Sequence, residues 1–273
     1  MIFDLLASGS RGNAFLLRDE AMCVLIDCGG TRRWLLQCLK EKGVSLKEID
    51  ALLVTHDHTD HVSQISLFKD IPVWSPVDLS VPTVPVRADH PFLLGHLSVY
   101  PLALSHDAEA TVGYIIENGT EKLVYVTDTG YVKDGYLSLM RGADYIVLES
   151  NHDPDLLMHT GRPYYVKRRI LSDAGHLCNE DACEVLDAVV TPRTRMIILA
   201  HISQEANTRE AALKAAAGHL LKYHRDLNRS LIVSAAGQFE PIHGGNDEKV
   251  DPGTVFRAVG MECMAERTDR KDG

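Results

Sequence analysis

The sequence predicts an α/β fold of four layers, αββα, in which two mixed β-sheets pack face to face with helices outside. Short apolar segments in the first half have the length and turn-flanked spacing of strands. Helical and strand patterns then alternate in the second half, and helices of this kind cover the outer faces of sheets. Polar residues suited to metal binding follow the ends of several predicted strands. Together these features predict a layered sandwich with a site at one edge.

The first half is predicted to be mostly strand, interrupted by one helix. The helix covers residues 31–42, where Trp34, Leu35, Cys38 and Leu39 fall on one face. The predicted strands are residues 2–7, 14–18, 23–27, 51–55, 97–104, 112–117 and 122–127.

The second half alternates helices with strands. Helices are predicted at residues 133–141, 155–159, 164–172, 179–190 and 208–226, and strands at residues 145–149, 196–200 and 231–234. Residues 1–243 are predicted to form one domain. Residues 244–273 begin with the polar, turn-rich "GGNDEKVDPGT" and are predicted to be a loose C-terminal tail, in which residues 255–264 could still dock.

Composition narrows the class of protein. The 273 residues are 45% hydrophobic, and no apolar run has the ~18 residues that a membrane helix needs. The N-terminus lacks a secretory signal and the six cysteines form no Cys-x-x-Cys pair, so we expect cytoplasmic residence and reduced thiols. The net charge of −10 argues against a broadly basic surface. It does not exclude nucleic acid, because metal ions would neutralise several aspartates.

The segment "VTHDHTDH" concentrates His56, His58, Asp60 and His61 just after an apolar strand. In extended chain His56 and His58 point to the same side, and a turn lets Asp60 and His61 face a nearby point. Imidazole and carboxylate suit zinc, manganese or iron, whereas calcium prefers oxygen alone. A solvated loop with accidental histidines is the alternative, and the density of these residues argues against it.

The same pattern recurs elsewhere in the chain. Asp27, His106, Asp128 and His201 each follow the end of an apolar segment. Each could separately be a helix cap or a satisfied polar residue. Their repetition indicates a shared site, because α/β proteins place functional residues beyond the carboxyl ends of strands.

"THDHTDH" with His106, Asp128 and His201 resembles the metallo-β-lactamase superfamily signature, H-x-H-x-D-H followed by H, D and H. The segments "LASGSRGNAFLL", "TDTG", "LESNHD", "RRILSDAGHLCNE" and "LAHISQEANT" resemble its YycJ/WalJ branch over residues 1 to 240. The resemblance implies the αββα fold and two divalent metal ions, Zn, Mn or Fe. It implies that His56, His58 and His106 hold one ion, that Asp60, His61 and His201 hold the other, that Asp128 bridges them, and that Asp27 orients the histidine loop.

The expected function is a dinuclear phosphodiesterase that attacks nucleic acid with a metal-bridging hydroxide, and the branch implies 5′-to-3′ exonuclease activity on DNA. Asp60 and His176 are the predicted catalytic residues; His176 would stabilise the phosphate or protonate the leaving oxygen, although it could also be a capping or packing histidine. Six further residues are predicted substrate contacts: Ser8, Ser10 and Asn13 of the glycine-rich "SGSRGN", then Asn151, His152 and Asn179. A plain hairpin turn is the alternative for the glycine-rich loop, and an Asx-bonded turn for Asn151 and His152.

The segment around residues 158–169 is open to two interpretations. Lys167, Arg168 and Arg169, with Arg162, could follow a nucleic-acid backbone or form a solvated helix face. Met158, Tyr164 and Tyr165 could stack on bases, but their helical spacing favours packing in a core.

Two other functions use the same residues. A small-molecule hydrolase, such as a thioesterase or lactonase, would need the metal ligands but not His176 or the glycine-rich loop. A regulatory protein could keep the fold without catalysis, but suitable residues fill all seven metal positions. The sequence leaves the oligomeric state open.

Overall fold

The computed structural model describes residues 1–20, 22–224, 226–228 and 230–246, and the backbone of two later segments, Val255–Val259 and Glu262–Glu266. Two mixed sheets stack face to face and helices cover both outer faces, which confirms the predicted αββα architecture. The strands are β1 (Ile2–Ala7), β2 (Ala14–Asp19), β3 (Met22–Ile26), β4 (Ala51–Leu53), β5 (Val73–Ser75), β6 (Val84–Pro85), β7 (Phe92–Leu94), β8 (Leu97–Leu104), β9 (Thr111–Glu117), β10 (Lys122–Val126), β11 (Tyr145–Glu149), β12 (Met196–Ala200), β13 (Ile232–Ala235), β14 (Ile242–Gly245), β15 (Val255–Val259) and β16 (Glu262–Glu266).

The helices lie between these strands. They are α1 (Arg32–Glu41), α2 (Thr59–Val62), α3 (Asp134–Met140), α4 (Pro154–His159), α5 (Tyr164–Ile170), α6 (Asn179–Val189) and α7 (Arg209–Tyr223), with 3₁₀ turns at Leu46–Glu48 and Ile65–Phe68. In the described part of the chain, no helix is both long and apolar enough to cross a membrane.

The first sheet has the strand order β14-β1-β2-β3-β4-β5-β6, and the second has the order β16-β15-β13-β12-β11-β10-β9-β8-β7. Strands β3 to β6 are parallel in the first sheet, and β10 to β13 are parallel in the second. Parallel neighbours bring their carboxyl ends to one edge of a sheet, and that edge is where ligand-binding loops collect in α/β proteins.

Aromatic side chains fill the space between the sheets. Phe3 and Phe15 of the first sheet are fully buried, with ring centroids 5.4 Å apart. Phe3 lies 5.0 Å from the ring of Tyr145, and Phe15 lies 5.3 Å from that of Tyr125, both on the second sheet. These large buried rings hold the two sheets in register.

Each outer face is closed by amphipathic helices. Leu35 and Leu39 of α1 pack on the first sheet, and Cys38 is buried beside them, as the spacing in α1 predicts. On the second sheet, α3, α6 and α7 contribute Met140, Leu186 and Leu220 to one cluster. Burial of these faces supplies most of the helices' stability, because short helices are marginal when isolated.

Most element predictions are met within about two residues, and the differences have physical causes. The predicted strand 51–55 ends at Leu53, because the Thr55 N–H donates 2.9 Å to the side-chain Oδ1 of Asp27. The predicted helix 208–226 ends at Tyr223. Short strands of two to four residues, β5, β6, β7 and β14, carry too few residues to show a periodic pattern and were not predicted.

The predicted tail contains ordered elements. β14 crosses the predicted boundary at residue 243 and pairs with β1, and β15 pairs with β13 and with β16. Those three segments are therefore strands. Residues 247–254 and 267–273 lie outside the described residues, so the division into a domain of residues 1–243 and a tail stays a prediction.

One buried hydrogen bond ties the sheets together next to the histidine-rich segment. The hydroxyl of Tyr114, on β9, donates to the carbonyl of Val54 at 2.6 Å, and Tyr114 is fully buried. We expect Tyr114→Phe to lower the free energy of unfolding by about 1–3 kcal/mol, because it leaves that carbonyl unpaired away from water. Urea unfolding followed by circular dichroism measures the change.

Tyr100→Phe is the matched control. Its hydroxyl bonds to Asp89 at an exposed position, so its removal should change stability by no more than about 0.5 kcal/mol. Equal effects at the two tyrosines would contradict a special role for the Tyr114 bond.

Candidate metal centre

The candidate site residues follow the carboxyl ends of strands from both sheets. Asp27 follows β3, His56 and His58 follow β4, Asp128 follows β10 and His201 follows β12. Three of them adopt the left-handed backbone conformation that non-glycine residues rarely take, with φ of 59° at Asp27, 59° at Asp128 and 52° at His201. Such strain costs about 1–3 kcal/mol per residue and concentrates at functional sites.

One group of donor atoms is formed by three histidines. One nitrogen each from His56, His58 and His106 lies within 4.8 Å of the other two, a spacing that a shared metal ion can bridge. His56 and the side chain of His106 are buried, whereas His58 is partly exposed. This is the first of the two sets predicted from the sequence.

A second group lies beside it. Asp60, His61 and His201 offer donor atoms within 4.8 Å of one another, and they are the second predicted set. The buried Asp128 carboxylate lies next to this set: Oδ2 is 3.2 Å from His61 Nε2, and Oδ1 is 3.4 Å from His201 Nε2. Oδ1 is also 4.0 Å from His106 Nε2, so Asp128 stands between the two groups.

Unpaired buried atoms show that the cluster fits divalent metal. Among the described residues, His56 Nε2, His201 Nε2 and Asp128 Oδ2 are buried and have no hydrogen-bond partner. Buried polar atoms in proteins are nearly always satisfied, so three such atoms facing one cluster require an explanation. Imidazole nitrogen and carboxylate oxygen are the ligands of zinc, manganese and iron. The donor set therefore suits ions of this kind.

Asp27 holds the second group from behind, whereas Asn13 contacts its donor atoms directly. Asp27 Oδ2 lies 2.8 Å from His61 Nδ1 and also accepts a hydrogen bond from the Thr55 hydroxyl at 2.9 Å. Asn13 Nδ2 lies 2.8 Å from His61 Nε2 and 3.2 Å from Asp60 Oδ2. Engaging Nδ1 of His61 leaves Nε2 as its ligand atom, which is the usual purpose of such supporting contacts.

Gly29 allows the helix that carries Asp60 to approach this closely. A Cβ at position 29 would lie 1.7 Å from the Asp60 carbonyl oxygen, far inside contact distance. The Asn13 and Cys28 N–H groups donate to the carbonyls of Asp60 and His61 at 2.8 and 2.7 Å. The short helix α2 is thus fixed by backbone contacts that only glycine at position 29 permits.

Glu149 is a site residue that sequence reasoning missed. It is fully buried at the end of β11, where its Oε1 lies 2.7 Å from His176 Nδ1 and 2.9 Å from His201 Nδ1. Its Oε2 accepts a hydrogen bond from the Thr129 N–H at 2.8 Å. The available signal was a carboxylate closing the apolar strand "YIVLE", at the level where the other site residues begin.

The predicted substrate contacts are mostly buried. Ser8 Oγ accepts from the His201 N–H at 2.7 Å, and Asn151 Nδ2 donates to the His201 carbonyl at 2.8 Å. Asn179 bonds to Ser150 and Asn207, and His152 is 1% exposed. Together with the buried Asn13, these residues are placed to support the ligand loops rather than to touch a substrate. Of the six, Ser10 is exposed.

The buried carboxylates and histidines of the cluster shift one another's pKa values. Burial raises the pKa of Asp128, but His201 and His61 outweigh burial and hold that pKa well below its ordinary value. Burial lowers the pKa of His201, but Asp128 and Glu149 outweigh it and raise the pKa to about 9. Burial likewise lowers the pKa of His61, and Asp27 and Asp128 outweigh it. Without metal, protons on these histidines compensate the buried carboxylates.

Comparison with known proteins agrees with this geometry. A family model described as the beta-lactamase superfamily domain matches residues 23–202. The chain belongs to this superfamily. The match contains Asp27, the histidine-rich segment and the remaining candidate ligands through His201.

Curated relatives within the superfamily cover most of the chain. It is 34% identical over 225 residues to an exodeoxyribonuclease YycJ of Bacillus anthracis, covering 77% of this chain and 85% of the relative. It is 32% identical over 227 residues to an exodeoxyribonuclease WalJ of Streptococcus pneumoniae serotype 2, covering 77% and 84%. These relatives confirm the resemblance to the YycJ/WalJ branch, and the chain is a metal-dependent hydrolase.

Solved structures show the same fold. The metallo-beta-lactamase fold protein YhfI of Bacillus subtilis superimposes with a TM-score of 0.65 at 17% identity, over 89% of this chain and 99% of that chain. The short form of human tRNase Z superimposes with a TM-score of 0.59 at 17% identity, over 89% and 98%.

The raised pKa of His201 predicts that metal binding strengthens with pH. His201 must lose a proton before its Nε2 can bind an ion, and its pKa of about 9 means that the proton is held at neutral pH. The apparent affinity for Mn²⁺ should therefore rise by about tenfold per pH unit for each proton released, between pH 6.5 and 8.5. Titration against a chelator of known pH dependence measures this, and a flat profile would contradict it.

Removing the charge of Glu149 should weaken metal binding. Glu149→Gln cannot hold both His176 and His201 through one charged oxygen, so we expect roughly 10–100-fold weaker binding. Glu117→Gln, at a partly exposed position at the end of β9, is the control and should bind as wild type. Equal affinities in the two variants would show that Glu149 does not position the ligands.

Proposed function

We propose that the protein is a dinuclear metal-dependent phosphodiesterase acting on nucleic acid, and specifically a 5′-to-3′ DNA exonuclease. One observation carries the proposal: two three-residue donor groups meet at the single carboxylate of Asp128. Relatives named exodeoxyribonucleases, matched over about 85% of their length, support nucleic acid as the substrate class.

The ligand set favours an anionic substrate. When two divalent ions are bound, they supply an activated water and positive charge beside the scissile group. Asp60 and Asp128 are the carboxylates among the seven proposed ligands, so two dications would leave the directly coordinating set with excess positive charge, which Asp27 and Glu149 offset only from behind the histidines. A phosphodiester is attracted to that excess, whereas a neutral lactone is not.

His176 is the proposed proton donor to the leaving oxygen. Its side chain is 19% exposed, whereas His56, His61 and His201 are buried. The bond from Nδ1 to Glu149 leaves Nε2 as the nitrogen that can exchange a proton with a substrate. Asp60, whose side chain is 23% exposed, is the second proposed catalytic residue and can accept a proton from the attacking water.

The proposal extends to cofactor and location. Zinc, manganese and iron all suit the donor set, and we propose two ions per chain. Cytoplasmic residence and DNA rather than RNA stay predictions of the sequence.

Separate labelling of the two ends of a DNA duplex tests the proposal. With metal-loaded protein, the 5′ label should appear at once in the smallest product, while the 3′-labelled strand should shorten gradually. His106→Ala removes a proposed ligand and should lower the rate by about 100-fold or more, by analogy with the loss of other transition-state-stabilising groups. His90→Ala, at an exposed position, should leave the rate unchanged.

Three results would overturn parts of the proposal. Early release of the 3′ label would reverse the polarity, and a single ion per chain by elemental analysis would exclude the dinuclear site. Cleavage of a thioester without degradation of any nucleic acid would identify a small-molecule hydrolase.

A further inference from the structure

Helix α5 presents two exposed tyrosines in line with two exposed arginines. Tyr164 is 67% exposed and Tyr165 is 75% exposed. Arg168 and Arg169 follow four residues later on the same sides of the helix, since residues i and i+4 are neighbours on a helix surface. We call these four residues the α5 face.

The opposite side of α5 is fixed to the protein. Ile170 packs with Leu157 and Ala206 in a small buried cluster. Lys167 is buried, and its Nζ donates to the carbonyls of Met158 and Thr160 at 2.7 and 2.8 Å. The interpretation of Tyr164 and Tyr165 as core residues is therefore wrong, and Lys167 is not free to contact a phosphate.

The arginines of the α5 face are available to an anion. Arg168 has no ion-pair partner within the described residues. Arg169 Nη1 contacts Asp107 Oδ2 at 2.8 Å, but the Arg169 side chain is 64% exposed, and exposed pairs contribute little and exchange readily. Arg162, on the preceding turn, pairs with Glu205.

The C-terminal end of α5 is hydrogen-bonded to the turn that carries His176. The carbonyl of Ile170, at the end of α5, accepts a hydrogen bond from the His176 N–H at 3.0 Å. His106 Nδ1 lies 3.2 Å from the carbonyl of Gly175 in the same turn. The seven residues of α5 span ~10 Å, and the helix ends at Ile170, in the turn that leads to His176.

We propose that the α5 face binds the strand being degraded, with Tyr164 and Tyr165 stacking on unpaired bases and Arg168 and Arg169 contacting phosphates. This rests on the proposed function and specifies its substrate: a single-stranded or frayed segment. Base faces are available to aromatic side chains only where the duplex is open, and stacking of this kind does not depend on base identity. A protein partner would be the occupant if nucleic acid does not bind there.

Binding to a nuclease-resistant oligonucleotide tests the proposal with metal-loaded protein. A single-stranded phosphorothioate 12-mer carrying 2-aminopurine should bind, and its fluorescence should be quenched by stacking. The double variant Tyr164→Ala/Tyr165→Ala should bind about tenfold more weakly or worse and lose the quenching, whereas Tyr164→Phe/Tyr165→Phe should retain both. Arg168→Ala should reduce the salt dependence of binding by about one phosphate contact.

A remote tyrosine provides the control. Tyr223, near the end of α7, is 53% exposed, and Tyr223→Ala should bind and quench as wild type. Hydrolysis of bis(p-nitrophenyl) phosphate should be unchanged in the double alanine variant, because that small substrate reacts at the metal centre, which contains neither tyrosine.

The outcomes separate the two proposals. If wild type degrades DNA, and the double alanine variant binds the oligonucleotide and quenches its fluorescence as well as wild type does, the proposed role of the α5 face is wrong and the proposed function stands. If wild type degrades no DNA but quenching depends on the tyrosines, the α5 face does bind single-stranded nucleic acid and the proposed nuclease activity is wrong. If wild type does not bind the oligonucleotide at all, the proposed role of the α5 face is wrong.

Discussion

The buried carboxylate of Asp128 is the interaction on which the rest of the site depends. It follows a strand of the second sheet, and it meets His61 from the loops of the first sheet and His201 from the second. A buried carboxylate alone would cost several kcal/mol, so compensating positive charge must come from both sheets. The sheets are therefore aligned at this edge by electrostatics as well as by the aromatic core between them.

Two further carboxylates support this arrangement in matching ways. Asp27 lies 2.8 Å from Nδ1 of His61, and Glu149 lies 2.9 Å from Nδ1 of His201. In each sheet, an acidic residue at or just beyond a strand end thus orients one histidine toward Asp128. Orientation of this kind fixes the tautomer and leaves Nε2 free for a ligand. Backbone strain at Asp27, Asp128 and His201 is tolerated because these contacts hold the residues in place.

Features that depend on residues close together in the chain could be predicted from the sequence. "THDHTDH" places four candidate ligands within seven residues, and apolar strands identify the ends where the others lie. The position of Glu149 at the end of an apolar strand was a usable signal, but its bond to His201 and the supporting role of Asn13 could not be predicted, because these partners are about fifty residues away in the chain and depend on how the sheets stack. The exposure of Tyr164 and Tyr165 could not be predicted either. A seven-residue helix is too short for periodicity to decide which face is buried.

Access to the metal centre is one-sided, and this would allow an acidic chain to bind the polyanionic substrate that we propose. His58, Asp60 and His176 are partly exposed, whereas His56, His61, Asp128, His201 and the side chain of His106 are closed off. Substrate must therefore enter past the first group, and the turn that follows α5 reaches that entrance at His176. For such a substrate, positive charge is needed only along this path, where the proposed metal ions and the arginines of the α5 face would supply it. The remaining surface can be acidic without opposing binding, because screening limits repulsion to about 8–10 Å at moderate salt.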